Sequence, residues 1–543
     1  MTGTLAEQVQ RAEVGDWPEG ETVGALLARA MLRAGDRVAL RDRDHRDGGG
    51  TRTHAELLAN AARFAAAMAD AGIRPGEHVA LMLADRCESV EAYLGCFLGG
   101  QVAVHVNDRL ATAELDAILA DADARVFVYT TELTGRVGPS EAVARAELVV
   151  RIGGGDPVAG HHDWDALIGA ATGDVHRVVP RAPQDLAIIG FTSGTTGRPK
   201  GVMHTQGGLL RILRHMPIHF GIPPRSRCAF TGTLSFVSGI WGVLLPHLYV
   251  GGEISFMGGL PPEEWFARML AERSTLTYVP TPYAGAFVEQ VRLHPEVLSH
   301  LRSAIHSGSA IPAPTLRALI DTVGPVFIEA YGMTETGAPV TKTEPEDWGL
   351  AGAPSPADDV YSSTGRPIHI VDIEIVDPDG TPLPVGETGE ITVRSDTQFA
   401  GYYGRPDLTA ETMLGGRIRT GDIGRLDAAG YLYVTDRAKD MIVSGGMNVF
   451  PAEVEAALAD LPGLAEIAVI GVPDERWGET VVAVAVTSDP GLTEQQIIDA
   501  ARARIASYKK PTRVRFARSL PRTASLKVDK PALRRQWAAD ELS

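Results

Sequence analysis

Cysteine is nearly missing from this chain. Three thiols, Cys87, Cys96 and Cys228, are spread over 543 residues. Their spacings match no metal-binding pattern, and an odd, sparse set suits a reducing compartment; all three are expected to be buried structural thiols. Long apolar runs are missing as well. No uninterrupted stretch of about 18 apolar residues occurs, as a membrane-spanning helix would need. The most apolar segment, VSGIWGVLLPHLYVGG, is broken by Gly and Pro and is expected inside the core. The opening MTGTLAEQVQRAEVGDWPEG lacks the apolar centre of a signal peptide, so a cytoplasmic location is expected. Positive charge is in deficit, with 51 Lys and Arg against 68 Asp and Glu and a net charge of -17. That balance argues against a nucleic-acid binder, which carries a basic footprint, and against general affinity for anionic membranes.

What remains is an ordinary globular composition, 44% hydrophobic, in a chain too long for one core. At least two domains are expected. From Glu21 to about Val179, helical patterns (ALLARAMLRAG, HAELLANAARFAAAMADAG) alternate with short Val-rich runs (HVALML, QVAVHV, ARVFVY). Strands separated by helices predict a parallel sheet covered on both faces. GGGDPVAGHHDWD reads as a surface excursion, and its His161 and His162 have no third ligand at metal spacing. After Gly365 the texture changes to short alternating runs with DPDG and GETG turns, which predicts antiparallel β structure.

The chain is organised around Phe191 to Gly201, FTSGTTGRPKG. Gly194, Gly197 and Gly201 allow tight turning and close approach to a ligand. Thr192, Ser193, Thr195 and Thr196 supply hydroxyl donors, and Lys200 a positive charge. LAIIGF before the loop reads as a buried strand and GGLLRILRHM after it as a helix. A donor-rich loop between a strand and a helix is a phosphate cradle, although G-x-x-x-x-G-K-[ST] does not match.

TSGTTGRPKG resembles the phosphate loop of the adenylate-forming superfamily, which comprises acyl-CoA synthetases, peptide-synthetase adenylation domains and luciferases. The resemblance runs over roughly residues 20 to 535, with further motifs in the family's order. Gly308, Ser309 and Ala310 correspond to the small-residue loop beside adenine and the acyl group. Tyr331-Gly332-Met333-Thr334-Glu335 matches a second family motif: Tyr331 offers a flat surface to the purine, Thr334 a hydrogen bond to phosphate, and Glu335 a hard oxygen ligand for Mg²⁺. Asp422 matches the aspartate that accepts both ribose hydroxyls, as one carboxylate can from a vicinal diol. Arg437 matches an arginine near ribose and phosphate, and Lys439 the hinge between the two domains. Gly445 and Gly446 lie in the loop presented to pantetheine, and Lys527 is the lysine that bridges carboxylate and α-phosphate. Relatives have glycine before that lysine, where this chain has Ser525-Leu526. Phe236 stands where many relatives have a pocket histidine, Gln206 replaces another common histidine, and Phe236 and Trp241 are the candidate walls of the acyl pocket. Glu453 and Glu455 read as structural residues at a helix start, and Lys509, Lys510 and Lys530 as solvated charges that aid CoA phosphate at most.

The fold implied is α/β. Residues 1–437 would form a large N-terminal domain of parallel α/β sheets with a β-rich subdomain at about 365–437, and residues 438–543 a small mobile α+β domain. The activity implied is ATP- and Mg²⁺-dependent conversion of a small carboxylic acid to acyl-AMP, then transfer to CoA with release of AMP. Free CoA is the expected acceptor because no carrier-protein domain follows Lys527. Two rivals stay open: adenylation of another oxyanion such as nitrite or transfer to an amine, and a nucleotide-binding module without turnover. A two-fold homodimer is the default expectation for the assembly.

Overall fold

The computed structural model describes all residues except 1–20, 44–49, 193–198, 310, 312, 350–357, 438–439, 445–446, 475–476, 524–526 and 543. Two large sheets make up most of the N-terminal region. The first has seven strands, in the order His162–Asp163, Leu148–Ile152, Ala124–Thr130, His78–Met82, Val102–His105, Leu186–Thr192 and Lys200–Thr205. Every pairing is parallel except the last. The central strand His78–Met82 is buried at every position, as a strand with helices on both faces must be.

The second sheet has nine strands. Its parallel centre runs Phe327–Tyr331, Ser303–Ser307, Leu276–Tyr278, Arg227–Phe230, Glu253–Phe256 and Val38–Arg41, with antiparallel strands at both ends. Helices fill the space beside the sheets, and their ends follow local rules. Thr53 and Glu56 form a reciprocal capping box at the start of His54–Asp70. Cys87–Gly99 stops at Gly100, whose left-handed φ of 75° suits glycine. The main core joins Phe64, Tyr93, Phe97, Leu213 and Trp241. The apolar run around Trp241 is a π-helical turn, Gly239–Leu244, leading into the helix Leu245–Tyr249, and it is buried as expected. All three cysteines are buried and unpaired.

The sheet that follows Gly365 is antiparallel, as the turn signals predicted. Val371–Val376, Gly389–Ser395, Arg417–Leu426, Met413–Leu414 and Leu432–Arg437 form one five-stranded sheet. The small C-terminal domain builds another from Met447–Val449, Ile442–Ser444, Gly478–Thr487, Leu464–Asp474 and Arg513–Phe516. Helices Pro451–Leu458 and Glu494–Arg504 pack on one face through Val454, Leu458 and Ile497. Helix Lys530–Ala539 packs on the other through Leu533 and Trp537. No helix among the described residues is long and apolar enough to cross a membrane.

Two expectations are corrected. The phosphate loop does not join a strand to a helix. Lys200–Thr205 is itself a strand, antiparallel to Leu186–Thr192, so the loop closes a hairpin with Thr192 opposite Lys200. The helix Gln206–His219 begins only afterwards, capped by the Thr205 hydroxyl. The second correction concerns Lys509 and Lys530, which are not solvated charges. Lys509 pairs with Glu453 at 2.5 Å and Lys530 with Glu455 at 2.9 Å, all four being partly buried.

Candidate active site

The antiparallel sheet delivers a carboxylate to the end of the nine-stranded sheet. Asp422 follows Gly421, which turns with a φ of 70°, and its side chain is almost wholly buried, with the residue 3% exposed. One oxygen, Oδ2, accepts the Tyr331 hydroxyl. The other, Oδ1, lies 2.6 Å from Nε of Arg437, its register partner across the hairpin. Burial pushes the Asp422 carboxyl upward; the charge of Arg437, the Tyr331 hydrogen bond and the charge of Lys527 oppose it in that order. The charge of Lys527, from the C-terminal domain, is thus felt at this carboxylate. Each carboxylate oxygen has two acceptor positions, so Asp422 can take a vicinal diol while keeping both existing partners. Burial and the neighbouring Asp422 push the Tyr331 phenol far up, which leaves it a donor.

One turn further on, Glu335 is 8% exposed and accepts the Tyr402 hydroxyl at 2.7 Å. Lys200 lies 5.0 Å from the centre of the Tyr402 ring, a cation–π distance. Tyr402 thus links the expected metal ligand to the lysine of the phosphate hairpin. Below it, His204 Nε2 donates to the Thr334 carbonyl at 2.9 Å. Burial pushes His204 down to about 4, so it is neutral at pH 7 and donates through that nitrogen. Tyr402 and His204 went unnoticed in the sequence because neither belongs to a motif; a histidine at an otherwise apolar strand position, GVMHT, was the available signal.

The parallel sheet builds the other side. Register places His306 beside Glu329 on neighbouring strands, and His306 Nδ1 donates to Glu329 at 2.7 Å. His306 Nε2 meets the Thr281 hydroxyl at 2.8 Å, and Thr281 meets the exposed Ser309 hydroxyl at 2.6 Å. Burial raises the Glu329 carboxyl, and His306 opposes that rise. Gly308, at a φ of 91°, turns the chain so that Ser309 reaches Thr281. A surface hydroxyl is therefore wired through Thr281 to a buried imidazole–carboxylate pair. Asp85 anchors the loop carrying Phe236 by accepting from the Leu234 N–H at 2.6 Å and from Thr233 at 3.1 Å. Burial pushes Asp85 up to about 6.

The two aromatic candidates separate. Phe236 is half-buried, with the Arg109 guanidinium 5.4 Å from its ring centre. Trp241 is corrected to a core residue: it is 1% exposed and packs edge-on against His204 with ring centres 4.6 Å apart. His204 in turn joins it to the Thr334 carbonyl. Gln206 is also buried, and its Oε1 accepts the Val23 N–H at 3.0 Å, tying down an N-terminal helix. Ser193, Gly194, Thr195, Thr196, Ala310, Lys439, Gly445 and Gly446 lie outside the described residues. Gly332 follows Tyr331, where an added Cβ would meet Pro339 Cα at 3.1 Å.

A buried carboxylate, an acidic turn and a lysine-bearing hairpin at the end of a parallel sheet suit the handling of a nucleotide, and the chain belongs to the AMP-binding enzyme family. That family matches residues 27–403, and its AMP-binding enzyme C-terminal domain matches residues 453–527. The chain is 35% identical over 498 residues to a feruloyl-CoA synthase from an Amycolatopsis species, covering 91% of this chain and 95% of that one. Among solved structures it resembles ATP-bound MatB from Rhodopseudomonas palustris, at 27% identity and a TM-score of 0.83, covering 96% of this chain and all of that one. It also resembles the amide bond synthetase McbA from Marinactinospora thermotolerans, at 27% identity and a TM-score of 0.82, over 95% and 100% of the two chains.

Proposed function

We propose that this chain converts a ring-bearing organic acid to its acyl-adenylate and passes the acyl group to CoA. The observation that carries the reading is the convergence on Asp422 of Tyr331, Arg437 and Lys527, the last from a separate domain. A carboxylate is a poor electrophile at neutral pH, so it must first be activated. In the first step a carboxylate oxygen of the acid bonds to the α-phosphorus of ATP and pyrophosphate leaves. In the second, the CoA thiolate bonds to the acyl carbon and AMP leaves.

The residues divide the work by chemistry. Asp422 accepts the ribose diol, with Arg437 beside it, and Tyr331 flanks the purine. Thr192, Lys200, Thr334 and the hydroxyls of Ser193, Thr195 and Thr196 take the phosphates. Lys527 neutralises the charge that develops as the carboxylate meets the α-phosphate, an effect realised in the transition state. Glu335, a hard oxygen donor beside that site, would hold Mg²⁺, which supplies charge neutralisation for the triphosphate. Lys439 serves as hinge between the two half-reactions, and Gly445 and Gly446 let backbone approach pantetheine. The donor is assigned from the half-buried Phe236 ring and from similarity to a feruloyl-CoA synthase; aromatic side chains stack well on flat rings.

A second reading, transfer of the adenylate to an amine, is favoured by the likeness to an amide bond synthetase. Nitrite adenylation remains its variant. The test incubates enzyme, MgATP and a panel of acids including nitrite, with CoA, with an aryl amine, or with neither. AMP and thioester appearing together only with CoA and an aromatic acid support the ligase. AMP formed with the amine and indifferent to CoA overturns it.

A further inference from the structure

The helix Gln206–His219 ends with two histidines one turn apart, His215 and His219, so both rings leave the same face. A third, His369, comes from the segment between strands Arg366–Pro367 and Val371–Val376. Ring centres lie 4.7 Å apart for His219 and His369 and 5.4 Å apart for His215 and His369. One ligand nitrogen from each lies within 4.8 Å of the other two.

Two of these nitrogens are in a costly position. His219 is 4% exposed and its Nε2 has no hydrogen-bond partner, and the buried Nδ1 of His215 has none either. Buried polar atoms normally find a partner, and the other buried histidines of the site, His204 and His306, do so through at least one nitrogen. The unpartnered nitrogens of His215 and His219 leave each ring a buried position available to a ligand. The charges around them are Lys342 near His219, and Arg211, Arg214 and Asp396 near His215. A cavity of about 440 Å³ opens beside His219 and His369, with Glu344 on its wall.

We propose that His215, His219 and His369 form a binding site for a divalent transition-metal ion of the zinc class, with a fourth position open to the cavity. Neutral imidazoles suit Zn²⁺, which takes nitrogen donors at about 2.0–2.1 Å in tetrahedral sites. The three ligand nitrogens, within 4.8 Å of one another, would draw together around the ion. The ion would tie the helix that follows the phosphate hairpin to the segment entering the sheet that carries Asp422. This role is separate from the nucleotide chemistry and does not depend on it.

The test uses the full chain without an affinity tag, stripped with a chelator. Zn²⁺ titrated calorimetrically should bind at one ion per chain with micromolar or tighter affinity. Co²⁺ should give the intense visible bands of a tetrahedral site, and Zn²⁺ should raise the melting temperature. His369→Ala, at an exposed position, should weaken binding at least tenfold without unfolding the protein, and His215→Ala should do the same. His161→Ala, at the other histidine-rich segment, should leave binding unchanged. Absence of stoichiometric Zn²⁺ binding overturns the proposal. So does binding that is unaffected by both His369→Ala and His215→Ala, or binding lost with His161→Ala.

Discussion

The proposed nucleotide side and the proposed acyl side of this site are built on different plans. On the nucleotide side, groups distant in sequence converge on one carboxylate: Tyr331, Arg437 and Lys527 all act on Asp422. On the acyl side, polar groups from two adjacent strands and the turns beside them form a line, Ser309 to Thr281 to His306 to Glu329. The first arrangement gathers charge on one carboxylate. The second buries an acid–imidazole pair behind two hydroxyls. Convergence joins side chains from distant parts of the chain, whereas the line follows from the parallel register of His306 and Glu329.

The sharpest test of the nucleotide side is Lys527→Ala. Removing a group that stabilises developing charge costs roughly 10²–10³ in rate. Adenylate formation, read by ATP–pyrophosphate exchange, should fall by about that factor, while thioester formation from supplied acyl-adenylate stays within a few-fold of the original. Equal losses in both half-reactions would move Lys527 out of the first step. Next in size is Asp422→Ala. A hydrogen bond to a charged group is worth about 1.5–3 kcal/mol, so KM for ATP should rise roughly ten- to hundredfold. An unchanged KM would leave Asp422 as a mere partner of Arg437.

The acyl side should break differently, through stability rather than rate. Burial raises the Glu329 carboxyl above its ordinary 4.5, and His306 restrains the rise. A carboxyl raised in the folded state contributes stability that is full below its unfolded value and is lost as pH climbs through its folded value. His306→Leu removes the restraint, so Glu329 rises further and more stability is lost. The gap to the unaltered protein in urea unfolding should widen as pH rises above the ordinary carboxylate range, by roughly 1–3 kcal/mol, the cost of an unpaired buried polar group. Adding Glu329→Gln should flatten the curve. Parallel curves for the two proteins would mean that the pair carries no charge coupling.

The same division governs what the sequence could reveal. Tyr331, Glu335, Asp422 and Lys527 stand out in the sequence because each sits in a motif whose residue types match the proposed ligand, and the fold brings Tyr331 and Asp422 into hydrogen-bond contact. The alternating α/β pattern and the antiparallel change after Gly365 were legible from periodicity. The hairpin strand Lys200–Thr205 was not, because its six residues carry three polar side chains beside an apparent loop and hand over directly to a helix. His306 and Glu329 were hidden because their meeting depends on parallel register between strands. The contact of His369 with His219 likewise exists only once the chain is folded. Trp241 misled because an aromatic beside a pocket loop and an aromatic in a core look the same in sequence.

Phe236 and Trp241 give the last and smallest contrast. They are five positions apart, yet one is half-buried under Arg109 and the other is sealed against His204. If Phe236 is the wall against which a flat acid stacks, Phe236→Ala removes one ring contact and leaves the core intact. Such a contact is worth about 0.5–1.5 kcal/mol beyond area burial, so KM for an aromatic acid should rise roughly two- to tenfold while KM for ATP and the melting temperature hold. Trp241→Phe should behave inversely: the loss of volume against His204 should lower the melting temperature and leave the KM for the acid within about twofold. Measuring both variants with an aromatic and a linear acid separates stacking from bulk, since only stacking makes the Phe236→Ala penalty depend on the ring. An equal penalty for both acids would show that Phe236 merely fills space, and the assignment of a ring-bearing substrate would lose its structural support.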